Sequence, residues 1–226
     1  MKKVILSIAI AFAAAVSADA QKQTGGEKNL EVQFAPLGGN PVSISGIRLR
    51  IFNSESSAIR IGLNVGGSSS KEITQEQSND ANLIELSTTN KTFNFSIRPG
   101  YEKHFAGTDR LSPYIGGELL IGIARSTDIT ETQYGDEELQ IQTDKSGSTT
   151  FGINAVAGTD FYFADNIYLG AEIGFGFSRT ADGDNETTFE NAPDGVDDVT
   201  SILNNTTNSS WGPNFQGTLR LGWLFN

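Results

Sequence analysis

The chain contains no cysteine. Disulfides, thiolate metal sites, cysteine nucleophiles and an acylated lipoprotein cysteine are thereby all excluded. One histidine, His104, is present, so zinc spacings built on histidine pairs are absent as well. Positive charge is scarce: 16 Lys and Arg stand against 27 Asp and Glu, a net charge of -11. No basic patch large enough to neutralise phosphates along a duplex follows from such a balance, and no nucleic-acid partner is expected. Long apolar runs are missing after the first twenty residues, so no transmembrane helix is predicted. Phosphate-cradling glycine loops and nucleophile elbows are also absent, and no cofactor is expected.

The apolar stretch that does exist lies at the start, MKKVILSIAIAFAAAVSADAQ. Lys2 and Lys3 form a positive n-region, Val4 to Val16 an apolar segment of secretory length, and Ala18-Asp19-Ala20 a small-x-small cleavage site. Residues 1–20 are therefore expected to be a signal peptide, 21–28 a short periplasmic tail, and 29–226 the folded domain. Export across an inner membrane is the natural destination of this leader.

What fills the remainder is a period of two. In NIYLGAEIGFGFSR, residues 166–179, Ile167, Leu169, Ala171, Ile173, Phe175 and Phe177 share one parity, and Tyr168, Gly170, Glu172, Gly174, Gly176 and Ser178 the other. On a strand these are opposite faces, one large and apolar, one small or polar. The same alternation recurs over 29–35, 46–52, 58–66, 92–103, 113–125, 150–163 and 211–225, which makes eight strand candidates. Most are longer than the usual globular strand and match the roughly ten residues that cross a bilayer at a tilt.

Connections alternate in length. Residues 53–57, 104–112 and 164–166 are short, whereas 67–91, 126–149 and 180–210 are long and polar. Short turns at one end and long loops at the other fit an outer-membrane barrel with its long loops facing outward. Two long loops are predicted to continue the strands as hairpins, about Asn79-Asp80 and Tyr134-Gly135-Asp136. In the third, Val196, Val199, Ile202 and Leu203 stand at helical spacing, which predicts a short helix.

The non-lipid face carries five cations, Arg48, Arg50, Arg60, Arg98 and Arg220, and five anions, Glu31, Glu102, Glu118, Asp160 and Glu172. Equal numbers suit a closed lumen, because an unpaired buried charge costs several kcal/mol. All five cations are arginines, whose planar fork holds two carboxylates at once. Glu172, between Gly170 and Gly174, is expected to face an arginine from across the barrel, with Arg98, Arg60 and Arg220 as candidates. Trp211 and Trp223 share a face, twelve residues apart. At about 3.3 Å per residue and a tilt near 40° they stand roughly 30 Å apart along the membrane normal, so both are predicted in interfacial girdles, joined by Tyr101 and Phe163.

These features resemble the small outer-membrane β-barrels of the OmpA and OmpX type, in the outer membrane protein beta-barrel domain family. The C-terminal GTLRLGWLFN, with Leu219, Leu221, Trp223 and Phe225 on one face, is similar to the family's assembly signal, although Asn226 follows the aromatic. The resemblance implies an all-β, eight-stranded antiparallel up-and-down barrel in the cell outer membrane, contacting its lipids as a monomer after delivery by the barrel-assembly machinery. It also implies no single function: a structural or surface-contact role through acidic loops, a narrow porin-like channel, or a lipid-modifying enzyme.

The catalytic option would draw on His104 with Ser96 and Glu102, but Ser96 and Glu102 face the lumen by parity, and His104 is expected to be a turn-side residue at the membrane interface. No catalytic site is expected. Asp182, Asp184 and Glu186 begin like a calcium loop yet lack its glycine and distal glutamate, so they are weak metal ligands at most. A surface ligand for the acidic loops is left unidentified.

Overall fold

In the computed structural model of the chain, the structure describes residues 22–34, 44–77, 83–134, 138–191, 199–202 and 206–225. Every regular element among them is a strand: β1 (Lys28–Phe34), β2 (Ile44–Ser54), β3 (Ser57–Gln77), β4 (Leu83–His104), β5 (Leu111–Tyr134), β6 (Gln140–Ala164), β7 (Ile167–Asp182), β8 (Asn185–Glu190), β9 (Val199–Ile202) and β10 (Thr207–Phe225). Each of β1 to β6 pairs antiparallel with its successor, β7 pairs with β10, and β10 pairs with β1. Eight strands thus close on themselves as a barrel, which leaves no open edge in the wall.

The strands meet at one end in short connections, at Glu55-Ser56, at 105–110 and at Asp165-Asn166. Asn166 takes the left-handed conformation at φ 64°, which asparagine tolerates better than most residues in so tight a turn. At the other end β3 to β6, of 21 to 25 residues each, run well beyond the length a bilayer needs. The β3–β4 ladder continues to Gln77↔Leu83 and the β5–β6 ladder to Thr132↔Gln140. The turns at Asn79-Asp80 and Gly135-Asp136 lie outside the described residues.

The predicted helix in the third long loop is corrected. Val199 and Ile202 belong to β9, which pairs with β8, and β8 in turn extends the sheet from the upper part of β6. Val199, Thr200 and Ile202 are β-branched and favour an extended segment once a paired edge is offered nearby. Val196 and Leu203 lie outside the described residues.

The outward face is apolar over the barrel proper. Ile59, Leu63, Phe93, Phe95, Ile121, Ile153, Phe175 and Leu221 are all exposed there. A soluble protein would not leave so continuous an apolar band facing water. Trp211 and Trp223 are 79% and 62% exposed. Their separation is shorter than residue counting implies, because a bulge in β10 between Asn214 and Thr218 absorbs residues without advancing the ladder. Trp211 opposes Phe177 and Trp223 opposes Ile167, so the two tryptophans are ten ladder positions apart. With the same rise and tilt this corresponds to about 25 Å, the height of an apolar band.

Candidate functional site: the charged lumen and its vestibule

The inward face is where the chain concentrates its chemistry. At the end with short turns, Phe52, Ala58, Tyr162, Tyr168 and Leu224 form a small buried core. Tyr168 needs space that only glycine leaves: a Cβ on Gly222 would run into its ring. The Arg50 guanidinium lies over the Phe52 ring at 5.0 Å, which links this apolar floor to the charges above it.

Four arginines and five carboxylates then form one continuous network. Arg50 reaches Glu31 at 2.7 Å, Glu102 at 2.8 Å and Asp160 at 2.8 Å. Arg220 reaches Asp160 at 2.7 Å and Glu31 at 3.2 Å. Arg60 reaches Glu102 at 2.8 Å, Glu118 at 2.9 Å and Glu172 at 2.9 Å. Arg48 reaches Glu172 at 3.1 Å and Glu31 at 3.3 Å. Tyr114 adds its hydroxyl to Glu172, and Tyr168 to Glu31. Arg50, Arg60, Arg220, Glu31, Glu102 and Asp160 are completely buried. Taking so many charges from water is costly, and only such multiple pairing offsets it.

Glu172 is therefore held mainly by Arg60 and Arg48, with Arg220 further off at 3.9 Å. Of the three arginines considered from sequence, Arg98 is not a partner, and Arg48 takes that place. Parity correctly puts Arg98 inside, but parity carries no information about height, and the strand stagger sets Arg98 above the network. Among the described residues Arg98 makes no ion pair, so the lumen charges do not form a network of five against five. The glycine beside Glu172 has a clear purpose: a Cβ on Gly170 would stand 2.5 Å from the Arg220 Nη2 and 2.8 Å from the Asp160 Oδ1.

His104 also departs from expectation. It is buried within the lumen, not set at the lipid interface, because it shares the inward parity of Glu102. Its Nδ1 lies 2.9 Å from the Ser112 hydroxyl and its Nε2 3.2 Å from Glu102. Gln23, from the tail before β1, is buried beside it, donating to Ser112 at 2.7 Å and to the Glu55 carbonyl at 3.2 Å. Residues 22–27 thus fold across the short-turn end and are tied there by the backbone bond from Gly26 to Phe52 at 2.8 Å. Ser112, not Ser96, is the serine at this histidine. A histidine, a serine and a glutamate do meet here, and all three are buried. Sequence reading missed Gln23, Ser112 and Tyr114, since each is an ordinary polar or aromatic residue until the barrel closes around it.

Above the network the lumen widens into a cavity of about 340 Å³ toward the long-loop end. Arg48, Arg98, Glu118 and Glu172 lie at its floor and wall, with Asn154 and Ser178 higher up. Asn154 donates to Glu118 at 3.3 Å. Asp182, Asp184 and Glu186 do not converge on a common point here. Asp182 ends β7, Asp184 precedes β8, and Glu186 is engaged by Lys145 at 3.0 Å. Tyr101 is exposed on the outer wall, and Phe163 is half-buried near the end of β6. Leu219, Leu221 and Phe225 line the outward face of β10 beside Trp223.

Comparison with curated proteins yields no match. The model of one family, described as Putative OmpA-OmpF-like porin family, matches residues 55–179, from the first turn through the end of the apolar part of β7. That span covers more than half of the chain, and it includes five strands of the wall together with most of the lumen carboxylates. The chain therefore belongs to the Putative OmpA-OmpF-like porin family and is an outer-membrane β-barrel protein.

Proposed function

We propose that the protein is a non-enzymatic, non-conducting barrel that acts through its outer wall and its long-loop end, as structural support of the outer membrane and as a surface contact. The observation that carries this reading is the complete burial of Arg50, Arg60 and Arg220 among their carboxylates across the lower lumen. A lumen filled by paired side chains over an apolar floor leaves no continuous aqueous path. Function then falls to surfaces that remain available. The long-loop end is acidic: Asp182, Asp184, Glu186, Glu190, Asp194, Asp197 and Asp198 follow one another without an intervening Lys or Arg. Cleavage near Ala20 would release the mature chain, and the C-terminal strand would hand it to the barrel-assembly machinery.

Cross-linking on intact cells tests the surface role. Wild-type protein should capture a partner or envelope component that is lost when residues 183–206 are replaced by a short turn. Equal capture by both forms would remove the loop end from the proposal. A second reading, a narrow porin-like channel, is favoured by the 340 Å³ vestibule, which brings solvent half-way into the barrel. It requires the arginine network to part, and its test is electrical conductance.

A further inference from the structure

The chain is strongly acidic, yet its outward-facing cations are not scattered. On three strands the outward position next above the continuous run of large apolar residues is a cation. In β4 the outward series Phe95, Phe93 is followed by Lys91; in β5 Ile121, Ile123 by Arg125; in β7 Phe175, Phe177 by Arg179. All three cations are exposed, and none makes an ion pair among the described residues. Their ladder partners are uncharged. Arg125 lies between Phe93 and Gly147, Arg179 between Phe151 and Ser209, and Lys91 between Ser69 and Thr127.

Two further outward cations stand higher and are neutralised within the chain, Lys71 by Glu131 at 3.4 Å and Lys145 by Glu186 at 3.0 Å. The unpaired three are the ones closest to the apolar band. Arg179 is two residues beyond Phe177, the ladder partner of Trp211. With a strand tilt near 40°, a step of two residues rises about 5 Å, which places these side chains in the polar headgroup layer. Long cationic side chains at that depth lay their stems along apolar surface and extend their heads to the phosphates.

We propose that Lys91, Arg125 and Arg179 form a cationic collar that binds the phosphate groups of anionic membrane lipids in the leaflet at the long-loop end. The collar rests on the reading of the barrel as membrane-spanning. It supplies what an acidic protein otherwise lacks, an electrostatic attraction to a negatively charged leaflet, and it fixes the height of the barrel in that leaflet. Each surface cation near an anionic membrane contributes about fivefold in lipid binding, and the effect is screened by salt.

The test compares wild-type protein with the triple variant K91Q/R125Q/R179Q in nanodiscs of phosphatidylcholine doped with phosphatidylglycerol. Native mass spectrometry counts the phosphatidylglycerol retained on the released barrel. The collar predicts retention by wild type that falls at least tenfold in the triple variant and is lost at high salt. K71Q/K145Q, which removes cations already paired, should leave retention unchanged. Equal retention by wild type and the triple variant would overturn the proposal. Heat-dependent mobility on SDS gels reports on the membrane-barrel reading separately: a wild-type chain that neither inserts nor shifts would contradict that reading, whereas inserted variants with unaltered lipid retention would contradict the collar alone.

Discussion

The two halves of the lumen are built from the same alternating strands and yet differ in kind. In the half near the short turns, large side chains fill the barrel, and its carboxylates and arginines answer one another within hydrogen-bonding distance. In the half near the long loops, glycine, asparagine and serine line an open vestibule, and Arg98 stands without an ion-pair partner among the described residues. Barrel diameter cannot account for this, since the wall has eight strands throughout. The difference comes from which residue sizes occupy the inward positions. It teaches that closure of a small barrel is a matter of a few layers of side chains, not of its whole length.

The sharpest way to break the comparison is Arg60→Met. That guanidinium serves Glu102, Glu118 and Glu172, so its loss strands Glu118 and leaves Glu102 to Arg50 and Glu172 to Arg48. The barrel should lose about 3–5 kcal/mol in urea unfolding from detergent or lipid. A loss below about 1 kcal/mol would mean that the lower half is not held by pairing. Gly170→Ala probes the same half by volume. Its methyl group meets Arg220 and Asp160, and a cost of about 1–3 kcal/mol is expected by the same assay.

Higher in the barrel, an inward glycine with more room should tolerate what Gly170 does not. At Gly122 the nearest atoms to an added Cβ are 3.4 Å away or more, so Gly122→Ala should stay within about 0.5 kcal/mol of wild type. Solvent access separates the halves without reference to stability. Because the chain has no cysteine, Ser178→Cys and Ala58→Cys each create a single thiol. A water-soluble maleimide should label the folded protein at position 178 within minutes and at position 58 only after unfolding. The smallest effect is assigned to Arg98→Gln, with a stability change of less than about 0.5 kcal/mol. A large loss there would place Arg98 in the network after all.

Much of the fold was legible from sequence because one physical constraint, lipid on one face and side-chain packing on the other, imposes a period of two on nearly every strand. Face was therefore readable, as with Glu172, Arg50 and Arg220. Height and angular neighbours were not, because they depend on strand stagger, which no residue type reports. That is why Arg48 was passed over as a partner of Glu172 while Arg98 was considered. Gln23 and Ser112 escaped notice for a related reason: their burial exists only once the tail folds across the barrel. The helical spacing around Val199 was misleading because a polar loop offered an edge strand could pair instead. The shortening of the distance between Trp211 and Trp223 depended on a bulge whose signal, Gly212-Pro213 before it and Gly217 within it, was passed over.

The central claim is that the arginine–carboxylate layer seals the lumen. Electrical recording of the purified protein in planar lipid bilayers tests it most directly. Insertion should be verified in the same membranes, so that silence is not mistaken for absence. The sealed lumen predicts no stable single-channel conductance for inserted wild-type protein across the usual voltage range. Reproducible, long-lived open states of the wild type, with a fixed unit conductance, would contradict it.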